Sequence, residues 1–424
     1  MDAIQTHFRE RIVAHANRLA AAPTASDGQG AFAGSHASAG QGAFAGSHAS
    51  AVQGAFAGSH ASAVQGAFAW SHASAGQGAF AGSHASAGQG AVAWSHASAV
   101  QGADPAIAWL ADHRLIPLHD HPALAPHLRA HLGLLRRLVL GENLARVELF
   151  KEIALILGAA SPPVPLAPLK GISLLDTVYR GDLGLRHMSD LDLLVPEGRI
   201  QEAVALLEAR GFRETEVSRR VRRIAHHRGL YHPRSLVELH TRLGAAFIPF
   251  STWSELAPRP VLVHGVEAYR LSPAAELVHL LVHFYKHRPF VCLVWLDEIL
   301  GLAEGLSGDD QRHAIPVIAA RLGCRTPLAV TIDLLRRALG PGFLPELRLA
   351  DLRPSALRVG LHRWLFLGPP DPLRPMPRRS RLLEEFHSAL LVDHPAQAPR
   401  EMLRMAAGHF LARYPTRIPP HPEG

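Results

Sequence analysis

Cysteine is nearly absent. Cys292 and Cys324 are the only two in 424 residues, too few for a disulfide framework or a cysteine-rich metal site. Both lie in apolar helical surroundings, so each is expected to be a buried thiol. Long hydrophobic runs are missing too, since no stretch reaches the ~18 apolar residues of a membrane span. The opening MDAIQTHFRERIVAHA is amphipathic and carries acids, unlike a secretory leader. A soluble cytoplasmic protein with no membrane partner is the expectation. Acidic residues are outnumbered, 36 against 43 Lys and Arg, with 28 histidines beside them and a formal net charge of +7. That balance suits an anionic partner such as a nucleotide. Charge alone permits nucleic acid without indicating it.

Over one long stretch formal charge vanishes: no Asp, Glu, Lys or Arg occurs between Asp27 and Asp104. Residues 28–99 are six gapless copies of a twelve-residue unit, GQGAFAGSHASA, and a seventh begins at Val100 and dissolves into DPAIAWLADH. Each unit surrounds one Phe or Val with small residues, too little apolar area to offset the entropy of ordering. A disordered insert is the expectation. A stacked solenoid and a metal array on His36, His48, His60, His72, His84 and His96 are the two other readings.

From Asp104 onward the chain is richer in pattern. ADPAIAWLADHRL opens with Asp-Pro, a helix start, and the segment from Ala125 to Ala159 repeats apolar residues every three or four positions. The Pro-rich SPPVPLAPLKG marks a boundary near residue 165. Beyond it, APLKGISLLDTVY reads as a short extended segment, a turn at Gly171 and a helix. SDLDLLVP reads as a strand ended by Pro196, and GRIQEAVALLEARGF as an amphipathic helix stopped by Gly211. SLVELHTRL reads as a second strand, with Val237 and Leu239 alternating with Glu238 and His240. After Leu271 the pattern is helical again, and the tail from Pro415 is Pro-rich.

Asp190 and Asp192 stand at i and i+2 on the first strand and so share a face. Two carboxylates there can hold one divalent cation or two, and hard oxygen donors favour Mg²⁺ or Mn²⁺ over zinc. Leu191, Leu193 and Val195 are expected on the opposite, core side. The plain alternative is a solvated strand end. If the second strand pairs beside the first, Glu238 completes a carboxylate triad of the kind used in phosphoryl and nucleotidyl transfer; otherwise it is a cross-strand partner for an Arg. Upstream, Gly171 between an extended segment and a helix suits close approach to phosphate, with Lys170 as a charge and Ser173 as a donor.

The ordered set LKG, YRGDLGLRHMSDLDLLVP, a helix ending ARGF, then VELHTRL resembles the uncharacterised nucleotidyltransferase family of the DNA polymerase beta-like superfamily. The match is good over residues ~166 to 243 and extends loosely to HFYKHRPFVCLVWLDEI. The resemblance implies that Asp190 and Asp192 are the metal-binding pair and Glu238 the third acid, serving as base or ligand for the attacking group. It puts Lys170, Gly171 and Ser173 near the triphosphate and lets Arg186 contact phosphate; the alternative for Arg186 is a salt bridge with an acid such as Asp182. One departure stands out: Gly171 is followed by Ile172 rather than Gly or Ser, and Asp190 comes 19 positions later.

The expected fold is therefore α+β, a small mixed-sheet nucleotidyltransferase core flanked by N- and C-terminal helical regions and interrupted by the low-complexity insert. Its expected parts are an N-terminal helix (1–27), the insert (28–103), a helical region (104–165), the core (166–270), a C-terminal helical domain (271–414) and the tail (415–424). The expected activity is Mg²⁺- or Mn²⁺-dependent transfer of a nucleoside monophosphate from a nucleoside triphosphate to an unknown acceptor. An inactive module that binds a nucleotide or a protein is the alternative, and a metal-dependent phosphohydrolase is a third. Two further clusters carry weaker signals. Arg219, Arg220, Arg222, Arg223, Arg228 and Arg234 either steer an anion or form a solvated hairpin. His279, His283 and His287 share a helix face better suited to packing than to metal. Asp297 reads as a helix-interface acid.

Overall fold

The computed structural model describes residues 2–21, 105–215, 218–219, 227–243, 253–287, 292–306, 309–344, 347, 349–357 and 359–360. The repeat with its six histidines, the Pro-rich tail, and Arg220, Arg222 and Arg223 lie outside the described residues. The chain divides into two compact units, residues 16–112 and residues 1–15 with 113–424. In the first, the described chain comprises the end of α1 (Asp2–Ala21) and α2 (Pro105–Asp112).

The second unit holds the sheet. In order come α3 (Pro126–Gly158), β1 (Ala167–Pro168), α4 (Lys170–Thr177), β2 (Asp190–Leu194), α5 (Ile200–Glu208), β3 (Arg213–Glu214), β4 (His227–His232) and β5 (Ser235–His240). Next come α6 (Trp253–Leu256), the hairpin β6 (Arg259–Val263) and β7 (Val266–Arg270), and helices α7 (Pro273–His287), α8 (Leu293–Gly305), α9 (Asp309–Arg321) and α10 (Arg325–Leu339). The main sheet has the order β1-β2-β5-β4-β3. Strands β2 and β5 run parallel while their other neighbours run antiparallel. The architecture is thus α+β with a mixed sheet and flanking helices, as expected. Among the described residues no helix is long and apolar enough to cross a membrane, and both cysteines are buried.

Packing explains the strand placement. Leu191, Leu193, Leu194 and Val195 are all fully buried, so β2 is covered on both faces. The expected division into an acidic and an apolar face holds only at its start: on the face of Asp190 and Asp192, the next position is buried Leu194. A central strand between two neighbours tolerates this because helices cover the sheet. Strand β5 keeps the alternation, with Val237 and Leu239 buried and Leu236 and Glu238 partly exposed. Helix α5 buries Ala203, Val204 and Leu207 and ends before Gly211, whose φ of +89° supplies the left-handed stop. Hairpin β6–β7, not separated in the sequence, turns at His264 and Gly265, both at positive φ. Helix α7 carries the C-terminal bundle, packing on α8, α9 and α10.

Helix α3 is 33 residues long and braces the segment leading into β2. Fully buried Asn143 donates from Nδ2 to the carbonyl oxygens of Leu183 and Arg186, both at 2.6 Å. Nearer the start of the same helix, Arg136 pairs with Asp182 at 2.8 Å. Substituting Asn143 by Ala leaves both carbonyls without this donor. The expected result in urea unfolding is a loss of about 2–3 kcal/mol, with the slope unchanged.

Candidate functional site

The parallel pairing of β2 and β5 sets Asp190 beside Leu236, Asp192 beside Glu238 and Leu194 beside His240. Residues two apart on a strand share a face, so Asp190, Asp192, Glu238 and His240 all project to one side of the sheet. Ligand atoms of Asp192, Glu238 and His240 lie within 4.8 Å of one another. His240 Nε2 is 2.8 Å from Asp192 Oδ1 and 3.4 Å from Glu238 Oε2. Lys170 donates from Nζ to the same Asp192 oxygen at 2.7 Å. Asp190 stands at the edge of this group, accepting from the Ser189 hydroxyl at 3.0 Å.

Charge explains how each group ionises. Burial and the neighbouring charges of Asp192 and Glu238 push the Asp190 carboxyl up to about 6. Burial acts in the same direction on Asp192, but the Lys170 charge and the His240 hydrogen bond overcome it and hold this carboxyl well below its ordinary range. Glu238 is also held low against burial, chiefly by His240. In turn, burial works against the charged forms of Lys170 and His240, and the carboxylates raise both. Three carboxylates therefore share one ammonium and one imidazole in a buried setting. The excess of negative charge is felt at Asp190, and hard oxygen donors at this spacing suit a divalent cation. A cation held by Asp190 would have to displace a proton from it below about pH 6. Mn²⁺ affinity measured by titration calorimetry should therefore fall about tenfold between pH 7.5 and pH 5.

The turn before α4 differs from the expectation. The left-handed residue is Lys170, with φ +46°, and Gly171 lies within the first helical turn. A non-glycine residue there costs roughly 1 kcal/mol, and Lys170 is the residue whose ammonium meets Asp192. Gly171 is needed for another reason. A Cβ at this position would lie 2.7 Å from Met188 Cγ and 2.9 Å from Arg186 Nη1. The missing side chain lets α4 approach the segment that delivers Asp190. Ser173 is buried and hydrogen-bonds Glu276 of α7, whose carboxyl burial pushes up to about 7.

Arg186 is buried and donates from Nε to Glu298 of α8 at 2.6 Å and from Nη1 to the His187 carbonyl at 3.0 Å. Asp182, the acid suggested as its partner, pairs with Arg136 instead. The adjacent acids Asp297 and Glu298 of α8 thus serve different partners. Asp297 takes a bidentate contact from Arg9 at 2.8 and 3.0 Å, an interface acid as expected. In the arginine cluster, Arg228 is buried against Glu214 at 3.1 Å and Arg234 pairs with Glu152. Arg228 is thus tied up in a buried ion pair, whereas Arg234 lies partly exposed at the turn of the β4–β5 hairpin, as the hairpin reading expected. On the shared face of α7, His279 is buried and the His283 ring meets Trp295 edge-on at 5.2 Å, which is packing. His240 is the site group not singled out in the sequence. Its signal was present as an i, i+2 neighbour of Glu238 on the same strand face.

The sequence pattern of a family described as "Uncharacterised nucleotidyltransferase" matches residues 103–340. No curated protein matches the chain. Among solved structures, the solution structure of the antibiotic-resistance factor ANT(2'')-Ia is similar at 16% identity, covering 42% of this chain and 91% of that one, with a TM-score of 0.32.

Proposed function

This chain belongs to the uncharacterised nucleotidyltransferase family, and we propose that it moves a nucleoside monophosphate from a nucleoside triphosphate to an acceptor hydroxyl or phosphate. The observation that carries this reading is the parallel β2–β5 register, which sets Asp192 beside Glu238 with Asp190 on the same face. Asp190, Asp192 and Glu238 would hold Mg²⁺ or Mn²⁺, which when bound neutralises phosphate charge and polarises the attacking oxygen.

The residues themselves divide the remaining work. Lys170 fixes Asp192 as an anion and brings positive charge to the place where phosphates would lie. Glu238, held low by His240, is suited to remain a ligand. Of the three acids, Asp190 has its carboxyl pushed highest in the cation-free site, and we assign it the proton of the acceptor hydroxyl. In that step the acceptor oxygen bonds to the α-phosphorus, the bond from that phosphorus to the bridging oxygen breaks, and pyrophosphate leaves. Gly171, Ser173 and Arg186 support the site from behind: Gly171 by close packing, Ser173 through Glu276 and Arg186 through Glu298.

One observation favours the second reading, a nucleotide-binding module without turnover. Met188 and Arg186 crowd the Cβ direction of Gly171, where a phosphate-binding turn would be open. Incubating the full chain with each labelled triphosphate, with Mg²⁺ or Mn²⁺, separates the two. Pyrophosphate release that is lost in Asp190→Ala and Asp192→Ala supports transfer. Tight nucleotide binding without turnover under every condition assigns the second reading.

A further inference from the structure

We propose that His240 is itself a metal ligand, and that its imidazole nitrogen makes this site select Mn²⁺ over Mg²⁺. The inference rests on the reading of β2 and β5 as a cation site and goes beyond it in naming a nitrogen donor and the ion it selects. His240 stands two residues after Glu238 on β5, so the strand itself aims both side chains to the same side. The parallel register then brings the ring to Asp192 on β2. The outcome is one nitrogen, Nε2, facing two carboxylate oxygens at 2.8 and 3.4 Å. A cation shared by those carboxylates meets that nitrogen as its third donor, because the three ligand atoms lie within 4.8 Å of one another.

The ring has little freedom to withdraw. His240 is 8% exposed and packs against the His227 ring at 5.5 Å between centroids. Lys170 occupies another approach to Asp192 Oδ1, so the carboxylate is held from two sides and the imidazole side is the one that also includes Glu238. Donor chemistry then decides the ion. Mg²⁺ demands near-ideal octahedral oxygen coordination and gives up water reluctantly, whereas a first-row transition cation accepts imidazole nitrogen. Two carboxylates keep the site hard enough for Mn²⁺, the hardest of that series.

Titrating Mn²⁺ into the full chain with a non-hydrolysable triphosphate, monitored by electron paramagnetic resonance, tests this directly. Pulsed measurement should find nitrogen hyperfine coupling to bound Mn²⁺, and labelling the histidines with ¹⁵N should change it. Competition should show Mn²⁺ preferred over Mg²⁺, and His240→Gln should lose the coupling and lower that preference about tenfold or more. Bound Mn²⁺ without nitrogen coupling in the unmodified protein overturns the proposal and leaves the proposed transfer standing. So does coupling that survives in His240→Gln. The isotope experiment needs no substitution, so a variant that fails to fold does not weaken the test. If the unmodified protein binds neither ion, with nucleotide present, the cation site falls and this proposal falls with it.

Discussion

Asp192→Asn should lower nucleotidyl transfer by about 10³-fold or more, equivalent to about 4 kcal/mol of lost transition-state stabilisation. Asp192 is the hub of the site. Its Oδ1 accepts from Lys170 at 2.7 Å and faces His240 at 2.8 Å, and its strand partner is Glu238. The amide keeps the shape and one oxygen acceptor but removes the charge that a phosphate-bound cation requires. Pyrophosphate release measures the effect, and a thermal melt of the same sample checks folding. The conservative amide matters here, because Asp192→Ala would also take the shared acceptor away from the Lys170 ammonium and the His240 ring. Activity within a few-fold of the unmodified protein in a folded Asp192→Asn variant would rule out the carboxylate site as the seat of transfer.

The largest stability effect is expected at the buried ion pair behind this hub. Glu298→Ala should cost about 3–5 kcal/mol, and Arg186→Met a similar amount, because each strands a buried partner. Arg186 and Glu298 side chains are only 9% and 1% exposed and meet at 2.6 Å. Tyr179 also reaches Glu298, at 3.3 Å through its hydroxyl. A guanidinium does not give up its proton at any relevant pH, so losing Glu298 leaves a charge in a nonpolar setting. The double variant Arg186→Met with Glu298→Leu should be far less costly than the sum of the two single changes. Urea unfolding of the four proteins completes the cycle. Additive losses would show that the two side chains do not depend on each other.

Range decided how much of this was legible in the sequence. Local patterns were readable: the alternation of β5, the stop at Gly211 and the amphipathic α5 depend on neighbours two to four residues apart. Asp190, Asp192 and Glu238 were readable as candidates because carboxylates are conspicuous at the start of an apolar strand. Their convergence was an expectation only through the family resemblance, since it depends on β2 and β5 pairing in parallel across intervening helix and hairpin. The partner of Arg186 was equally hidden: Asp182 was near in sequence, while Glu298 is 112 residues away. At the turn, Gly171 drew attention as the permissive residue, yet the left-handed position fell to Lys170. Lys170 is also the residue whose ammonium meets Asp192, a long-range contact no local pattern encodes.

Helix α3 contributes no side chain to the acidic cluster, yet it acts as the jig on which the cluster is assembled. Asn143 holds the segment before β2, and Glu152 holds Arg234, immediately before β5. The two acid-bearing strands are thus indexed to positions roughly 13 Å apart on one rigid rod. One residue inserted between those positions would turn one anchor by about 100° relative to the other and advance it by about 1.5 Å. The β2–β5 ladder sets Asp192 beside Glu238, and α3 ties the entry of each of those strands to one rod.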